Sequence, residues 1–167
     1  MNTGMSKHQC HKMKTDEWLT PPNILDDLGP FDLDPCAPIN RPWAMAKNHY
    51  TVDDDGLKKE WFGCVWCNLP YGTESPKWLD KLATHNNGIA LIFARTETEM
   101  FFTHVWKKAN ALMFIKGRLY FHHVNGDKAR FNSGAPSVLI AYGDECVERL
   151  KNTKIQGQLI ILTSQSS

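Results

Sequence analysis

The sequence predicts an α/β domain with a mostly parallel sheet, helices on both faces and a terminal antiparallel hairpin. Three observations carry that expectation: strand-like and helix-like segments alternate, the strands are apolar on both faces, and polar residues gather where those strands end. Gly88-Ile89-Ala90-Leu91-Ile92-Phe93-Ala94 is the clearest strand, and it delivers Arg95-Thr96-Glu97-Thr98 at its C-terminal end. Cys64-Val65-Trp66-Cys67 is a second, stopped by Asn68-Leu69-Pro70-Tyr71-Gly72, because proline has no N–H to give a ladder. In open α/β sheets ligands bind at the carboxyl ends of the strands, so Asn68, Tyr71 and residues 95–98 are expected to share one crevice.

The remaining elements follow in order. Thr20-Pro21-Pro22 opens a short helix with a hydroxyl cap and a proline in the first turn, Ile24, Leu25 and Leu28 form its apolar face, and Gly29 closes it. Phe31-Asp32-Leu33-Asp34 is a short alternating strand whose tip carries an acid followed by Pro35-Cys36-Ala37-Pro38. Residues 39–50 are mixed, and Thr51 to Leu57 is an acidic turn around Asp53, Asp54 and Asp55. Trp78, Leu79 and Leu82 fall at helical spacing behind Ser75, the expected cap. A helix over 100–109, a buried strand over Ala111–Ile115, a hairpin of Arg118–His122 with Ser137–Tyr142, a helix over 145–151 and an edge strand over 158–162 complete the chain. The polar stretch 125–136 holds Lys128 and Arg130, which suit it to contact phosphate, or to be an ordinary hairpin loop.

At 167 residues with 42% hydrophobic content the chain is long enough for one domain with a substantial core. A net charge of +1 gives no overall basic field, so nucleic-acid contact has to come from local Lys and Arg. No window approaches the roughly 20 apolar residues of a membrane helix, and residues 1–14 lack the apolar core of a signal peptide. Five cysteines, an odd number without secretory context, argue for reduced thiols. Cys64 and Cys67 form a CxxC, yet it lies in an apolar strand and not at the helix start that would lower a thiol pKa. Cys10 with His8 and His11 lacks a second Cys/His pair at zinc spacing, so no metal site is expected.

Asn68-Leu69-Pro70-Tyr71 resembles the Asn-Pro-Pro-Tyr signature of AdoMet-dependent amino-methyltransferases, with Thr20-Pro21 and Asp34-Pro35-Cys36-Ala37 preceding it in the family's order. The resemblance runs roughly from Trp18 to Tyr142 and looks most like the small phage-type DNA N6-adenine methyltransferases. It implies a Rossmann-like methyltransferase fold, a single domain over 16–163 behind a flexible tail over 1–15, S-adenosyl-L-methionine as cofactor and DNA as partner. The missing apolar window and signal-peptide core lead to the expectation of no membrane association and a cytoplasmic location, the host cell's if the protein is phage-encoded. Asn68, Leu69, Pro70 and Tyr71 would be the catalytic loop, and Trp18, Thr20, Pro21, Asp34, Pro35, Cys36 and Asp55 would bind the cofactor, with Asp34 near its ammonium.

The chemistry suits those residue types. An exocyclic amine is a poor nucleophile because its lone pair is delocalised into the ring, so its two hydrogens must be held on acceptors such as Asn68 Oδ1 and the Leu69 carbonyl. Tyr71 offers a flat face for an extruded base. Neither a metal nor a covalent intermediate is required. Two departures stand out: Leu69 replaces the family's usual proline, and Ala37 and Pro38 replace the usual glycines after the first motif. A leucine still supplies a carbonyl, and before Pro70 it is pushed toward extended backbone. These departures keep a second expectation open, a weak or inactive methyltransferase-fold DNA-binding protein. The motif alone also admits an amino-methyltransferase acting on RNA or a protein amide.

Overall fold

The computed structural model describes residues 18–162, so the predicted tail with His8, Cys10 and His11 and the Ser-rich end lie outside the described residues. In chain order the elements are β1 (Trp18–Leu19), α1 (Pro22–Leu28), β2 (Leu33–Asp34), β3 (Asn48–His49), β4 (Val65–Cys67), α2 (Ser75–His85) and β5 (Gly88–Phe93). Then come α3 (Glu99–Phe101), continued by a π-helical stretch to Trp106, β6 (Ala111–Ile115), β7 (His122–His123), β8 (Ser137–Tyr142), α4 (Asp144–Lys151) and β9 (Gly157–Ile161).

Seven strands form one sheet in the order β3-β2-β4-β5-β8-β6-β9, and β1 pairs separately with β7. The sheet is mixed, not mostly parallel as the sequence predicted. The pairs from β3 to β5 are parallel, while β5 with β8, β6 with β8 and β6 with β9 are antiparallel. The reason is where β6 lands. It lies one strand away from β5, and β8 returns in the reverse direction to fill the gap between them. An interior antiparallel strand buried on both faces reads in sequence like a parallel one, so the apolar run of Ser137–Tyr142 carried no sign of its direction. The hairpin expectation is corrected in the same way: the partner of β8 is Ala111–Ile115, not Arg118–His122. Residues 119–121 instead belong to an irregular excursion, with Ser133 N–H on the Leu119 carbonyl and Ala129 N–H on the Phe121 carbonyl, and His122–His123 pairs with Trp18–Leu19.

Strand alternation divides the interior into two clusters, one on each face. Trp66, Ile89, Leu91, Leu139 and Met113 meet α1 and α4 on one side. Val65, Cys67, Ala90, Ile92, Leu112 and Ile140 meet Trp78, Leu79 and Leu82 of α2 and Phe101 and Val105 on the other. Helices thus cover both faces, and each fully buried leucine, such as Leu79 and Leu82, contributes about 1.5–3 kcal/mol by transfer from water. Among the described residues no helix is long and apolar enough to cross a membrane.

Candidate functional site

The parallel pairing of Leu33 with Val65 sets the tips of β2 and β4 side by side, and the site is built where they end. Asp34 closes β2, nearly fully buried, with Oδ1 accepting the Cys36 N–H at 3.1 Å. Burial pushes its carboxyl up to about 7, against the smaller opposing pull of the Cys36 N–H and the Arg41 charge. Asn68 follows β4 directly, and the Cys36 thiol reaches its backbone carbonyl at 3.5 Å, joining the two tips.

A cleft of about 660 Å³ opens over these tips, within the usual range for ligand pockets. Its walls include Trp18, Thr20, Asp34, Pro35, Cys36 and Asp55 together with all four residues Asn68, Leu69, Pro70 and Tyr71. Pro21 is the exception among the predicted residues: it precedes α1 as its N-terminal boundary and does not line the cleft. The 51–57 turn is pressed onto the β2 tip at Gly56, where an added Cβ would lie 2.0 Å from the Pro35 carbonyl oxygen. That close approach brings Asp55 to the cleft.

The loop after β4 is held from several sides. Leu69 is 2% exposed and packs its side chain with Val65 and Cys67, so the residue that departs from the family's proline is absorbed by the core. Asn68 Nδ2 donates to Thr20 Oγ1 at 3.3 Å. Among the described residues no donor meets Asn68 Oδ1 or the Leu69 carbonyl. Ser75 does not cap α2. Its Oγ accepts the Gly72 N–H at 2.9 Å and donates to the Pro70 carbonyl at 2.7 Å, pinning the end of the loop. Tyr71 is 49% exposed, so it is not a core ring. Its ring stacks on Phe93 with centroids 4.8 Å apart and planes 13° apart, and its hydroxyl accepts the Phe93 N–H at 3.0 Å. Burial of the phenol end pushes its pKa up to about 12, so the ring is neutral at working pH.

Sequence reading missed Phe93, the last residue of β5, and Phe121 and Phe131, which line the cleft from the 118–136 excursion. Only the apolar run into Arg95 signalled Phe93, and Phe131 stood in a stretch read simply as polar. Residues 95–98 do not line the cleft as expected. Thr98 caps α3 through the Phe101 N–H, and Arg95 lies over the Phe93 ring at 5.9 Å. In the excursion, Lys128 lies 4.6 Å from the Tyr120 ring and Arg130 5.6 Å from that of Phe131, which is 75% exposed.

The CxxC is not a dithiol. Residues three apart in a strand face opposite sides, and each of these cysteines meets a distant one: Cys64 Sγ lies 3.7 Å from Cys146 and Cys67 Sγ 3.8 Å from Cys36. Contact with the Cys67 thiol, then burial and the Asp34 carboxyl, hold the Cys36 thiol well above its ordinary range, which keeps it un-nucleophilic. Among the described residues no group of three or more His, Cys, Asp and Glu converges as a metal site.

The arrangement is therefore a mostly apolar cleft with a buried carboxylate, two carbonyl acceptors and an open aromatic face, and among the described residues no cation contacts the carboxylate and no donor meets the two acceptors. It can hold a cationic ligand beside a planar amine. A family model described as DNA N-6-adenine-methyltransferase (Dam) matches residues 7–153. No curated protein and no solved structure matches the chain.

Proposed function

The chain belongs to the DNA N-6-adenine-methyltransferase family, and on that premise we propose that it transfers a methyl group from AdoMet to the N6 amine of adenine in DNA. The observation that carries the proposal is the pair of unengaged acceptors, Asn68 Oδ1 and the Leu69 carbonyl, on the wall of the cleft that also holds Asp34 and Tyr71. We read the sheet as the Rossmann-like methyltransferase sheet, with the antiparallel β6–β8 pair as its reversed end.

The residues present fit the cofactor. Asp34 offers a buried carboxylate to an ammonium, and the buried indole N–H of Trp66, on the same cleft wall, has no partner among the described residues and is a donor for a polar group. Trp18, Thr20, Pro35, Cys36 and Asp55 supply the remaining wall, and the family resemblance implies that Asp55 meets the adenosine half. When bound, AdoMet supplies an electrophilic methyl on a sulfonium.

The protein's own share is positioning. Asn68 Oδ1 and the Leu69 carbonyl hold the two amine hydrogens, which turns the nitrogen lone pair out of conjugation and toward the methyl. The free face of Tyr71, backed by Phe93, stacks on the extruded base. As N6 gains the methyl, one amine proton leaves to water. Lys128 and Arg130 would supply the phosphate contacts, and the protein would work where the DNA is, in the cytoplasm of the host for a phage-encoded chain.

Incubation with labelled AdoMet and mixed-sequence DNA, followed by nucleoside digestion, tests the proposal. The expected product is the labelled N6-methyladenine nucleoside from DNA. Label in RNA or protein alone would move the assignment to another amino acceptor, and AdoMet binding without transfer to any of them would make the chain an inactive member.

A further inference from the structure

We infer that Lys81 is a positioning residue for the cofactor, clamping the 51–57 turn that forms one wall of the cleft. This inference rests on the proposed use of AdoMet. Thr51, Val52, Asp55 and Gly56 line the cleft, yet only turns lie between β3 and β4. Within the turn the backbone bonds are local, with the Asp54 N–H on the Thr51 carbonyl and the Lys58 N–H on the Asp55 carbonyl. Bonds of that kind shape a turn but do not fix where it sits.

Its C-terminal side is seated by α2. Trp78, Lys81 and His85 are spaced three and four apart and so share one helix face. The Trp78 ring stands 3.1 Å from where a Cβ on Gly56 would be. Lys81 Nζ donates to the Leu57 carbonyl at 2.8 Å and to the Lys59 carbonyl, and a ring nitrogen of His85 lies 2.8 Å from the Gly63 carbonyl oxygen. Trp61 completes the clamp: its indole N–H donates to the Gly56 carbonyl at 2.8 Å, its ring stacks on Trp78 at 6.2 Å, and the Lys81 ammonium lies 5.4 Å over it. An ammonium only donates, so the sense of both Lys81 bonds is fixed. Neither Lys81 nor Trp61 lines the cleft, so each acts on a bound cofactor through the turn.

Lys81→Met keeps the apolar stem over Trp61 and removes the donors. Titration with AdoMet, at a temperature where the variant is folded, is expected to show Kd raised about tenfold or more, since hydrogen bonds from a charged donor are the stronger ones. At saturating AdoMet, kcat on DNA should stay within about threefold of the parent, because binding lost equally from ground and transition states raises KM alone. Lys81→Arg keeps charge and donors and should recover most of the affinity. Trp61→Phe removes only the N–H under Gly56 and should raise Kd about threefold or more. In a Gly56→Ala background, where the turn is already displaced, Lys81→Met should add less than about twofold.

A Kd within twofold of the parent for folded Lys81→Met would overturn the inference, as would an equally large effect with and without Gly56→Ala. Should Lys81→Met fail to fold, Trp61→Phe decides, and unchanged affinity there would sink the clamp. A lowered melting temperature with unchanged affinity in the folded fraction would make Lys81 merely structural. A fall in kcat at unchanged Kd would contradict a role through the cofactor wall. Failure of the underlying reading looks different: the parent protein itself would then bind no AdoMet.

Discussion

Tyr71 and Phe93 are stacked at 4.8 Å and also tied by a hydrogen bond from the Phe93 N–H to the Tyr71 hydroxyl, so the last residue of β5 holds the aromatic ring of the loop after β4. With one face on Phe93 and half its surface exposed, Tyr71 has its other face free. Base–aromatic stacking is worth about 1–3 kcal/mol, so Tyr71→Ala should lower kcat/KM for DNA by roughly ten- to a hundredfold. Tyr71→Phe should retain most of the activity, since only the π-face is used. Melting curves and DNA kinetics on the same variants check this. A large fall in melting temperature with unchanged DNA kinetics would assign the ring to stability instead.

Asp34 predicts how pH acts on binding and on stability. Its folded-state pKa of about 7 lies well above the ordinary aspartate value of about 3.9, because burial disfavours the charge. An ammonium ligand needs the carboxylate, so AdoMet affinity should be flat above about pH 7 and weaken toward tenfold per unit below it. Stability runs the other way. Between about pH 4 and 7 the folded protein holds a proton that the unfolded chain has lost, so this contribution is present at low pH and is lost as pH rises through about 7. Asp34→Asn should therefore melt higher than the parent at pH 8, differ little from it at pH 5, and bind AdoMet poorly at both. Calorimetric titration and thermal melts at the two pH values read this out.

Gly56 and Gly134 form a matched pair. A Cβ at Gly56 would meet the Pro35 carbonyl oxygen at 2.0 Å, whereas nothing lies within 4 Å of one at Gly134. Gly56→Ala must push the 51–57 turn off the β2 tip, and is expected to weaken AdoMet binding at least tenfold and to lower the melting temperature. Gly134→Ala should leave both essentially unchanged. Equal behaviour of the two variants would show that the turn does not depend on its seat against Pro35.

Lys128 and Arg130, each lying over an aromatic ring of the 118–136 excursion, give a salt-dependence prediction. If each neutralises one phosphate, Lys128→Ala/Arg130→Ala should reduce the slope of log affinity against log salt by about two and weaken binding to all DNA sequences alike. Binding measured between 50 and 200 mM salt reports the slope; an unchanged slope would place the phosphate contacts elsewhere.

The site was more legible in the sequence than the sheet. Strands ending in Asp34 and Asn68 could be read because apolar runs stop at proline-bearing polar turns, and the parallel pairing of their strands then brought the two tips together. Strand order was hidden, because β8 and the parallel strands bury both faces alike and nothing in residues 111–115 says that β6 skips a position. The hydroxyls were misread for a related reason. Thr20 and Ser75 stand where local rules place helix caps, but Thr20 bonds to Asn68 and Ser75 folds back onto its own loop. A cap depends on neighbours in sequence; these bonds depend on the fold.

The role of Asn68 is tested most directly by measuring turnover and cofactor affinity on one variant. Removing an acceptor that meets the reacting amine lowers kcat without loosening the cofactor, so Asn68→Ala should lose methylation of DNA by at least a thousandfold, on the order of 4 kcal/mol, while its AdoMet Kd stays within about threefold of the parent. Parallel loss of both, or turnover that survives the substitution, would contradict the account.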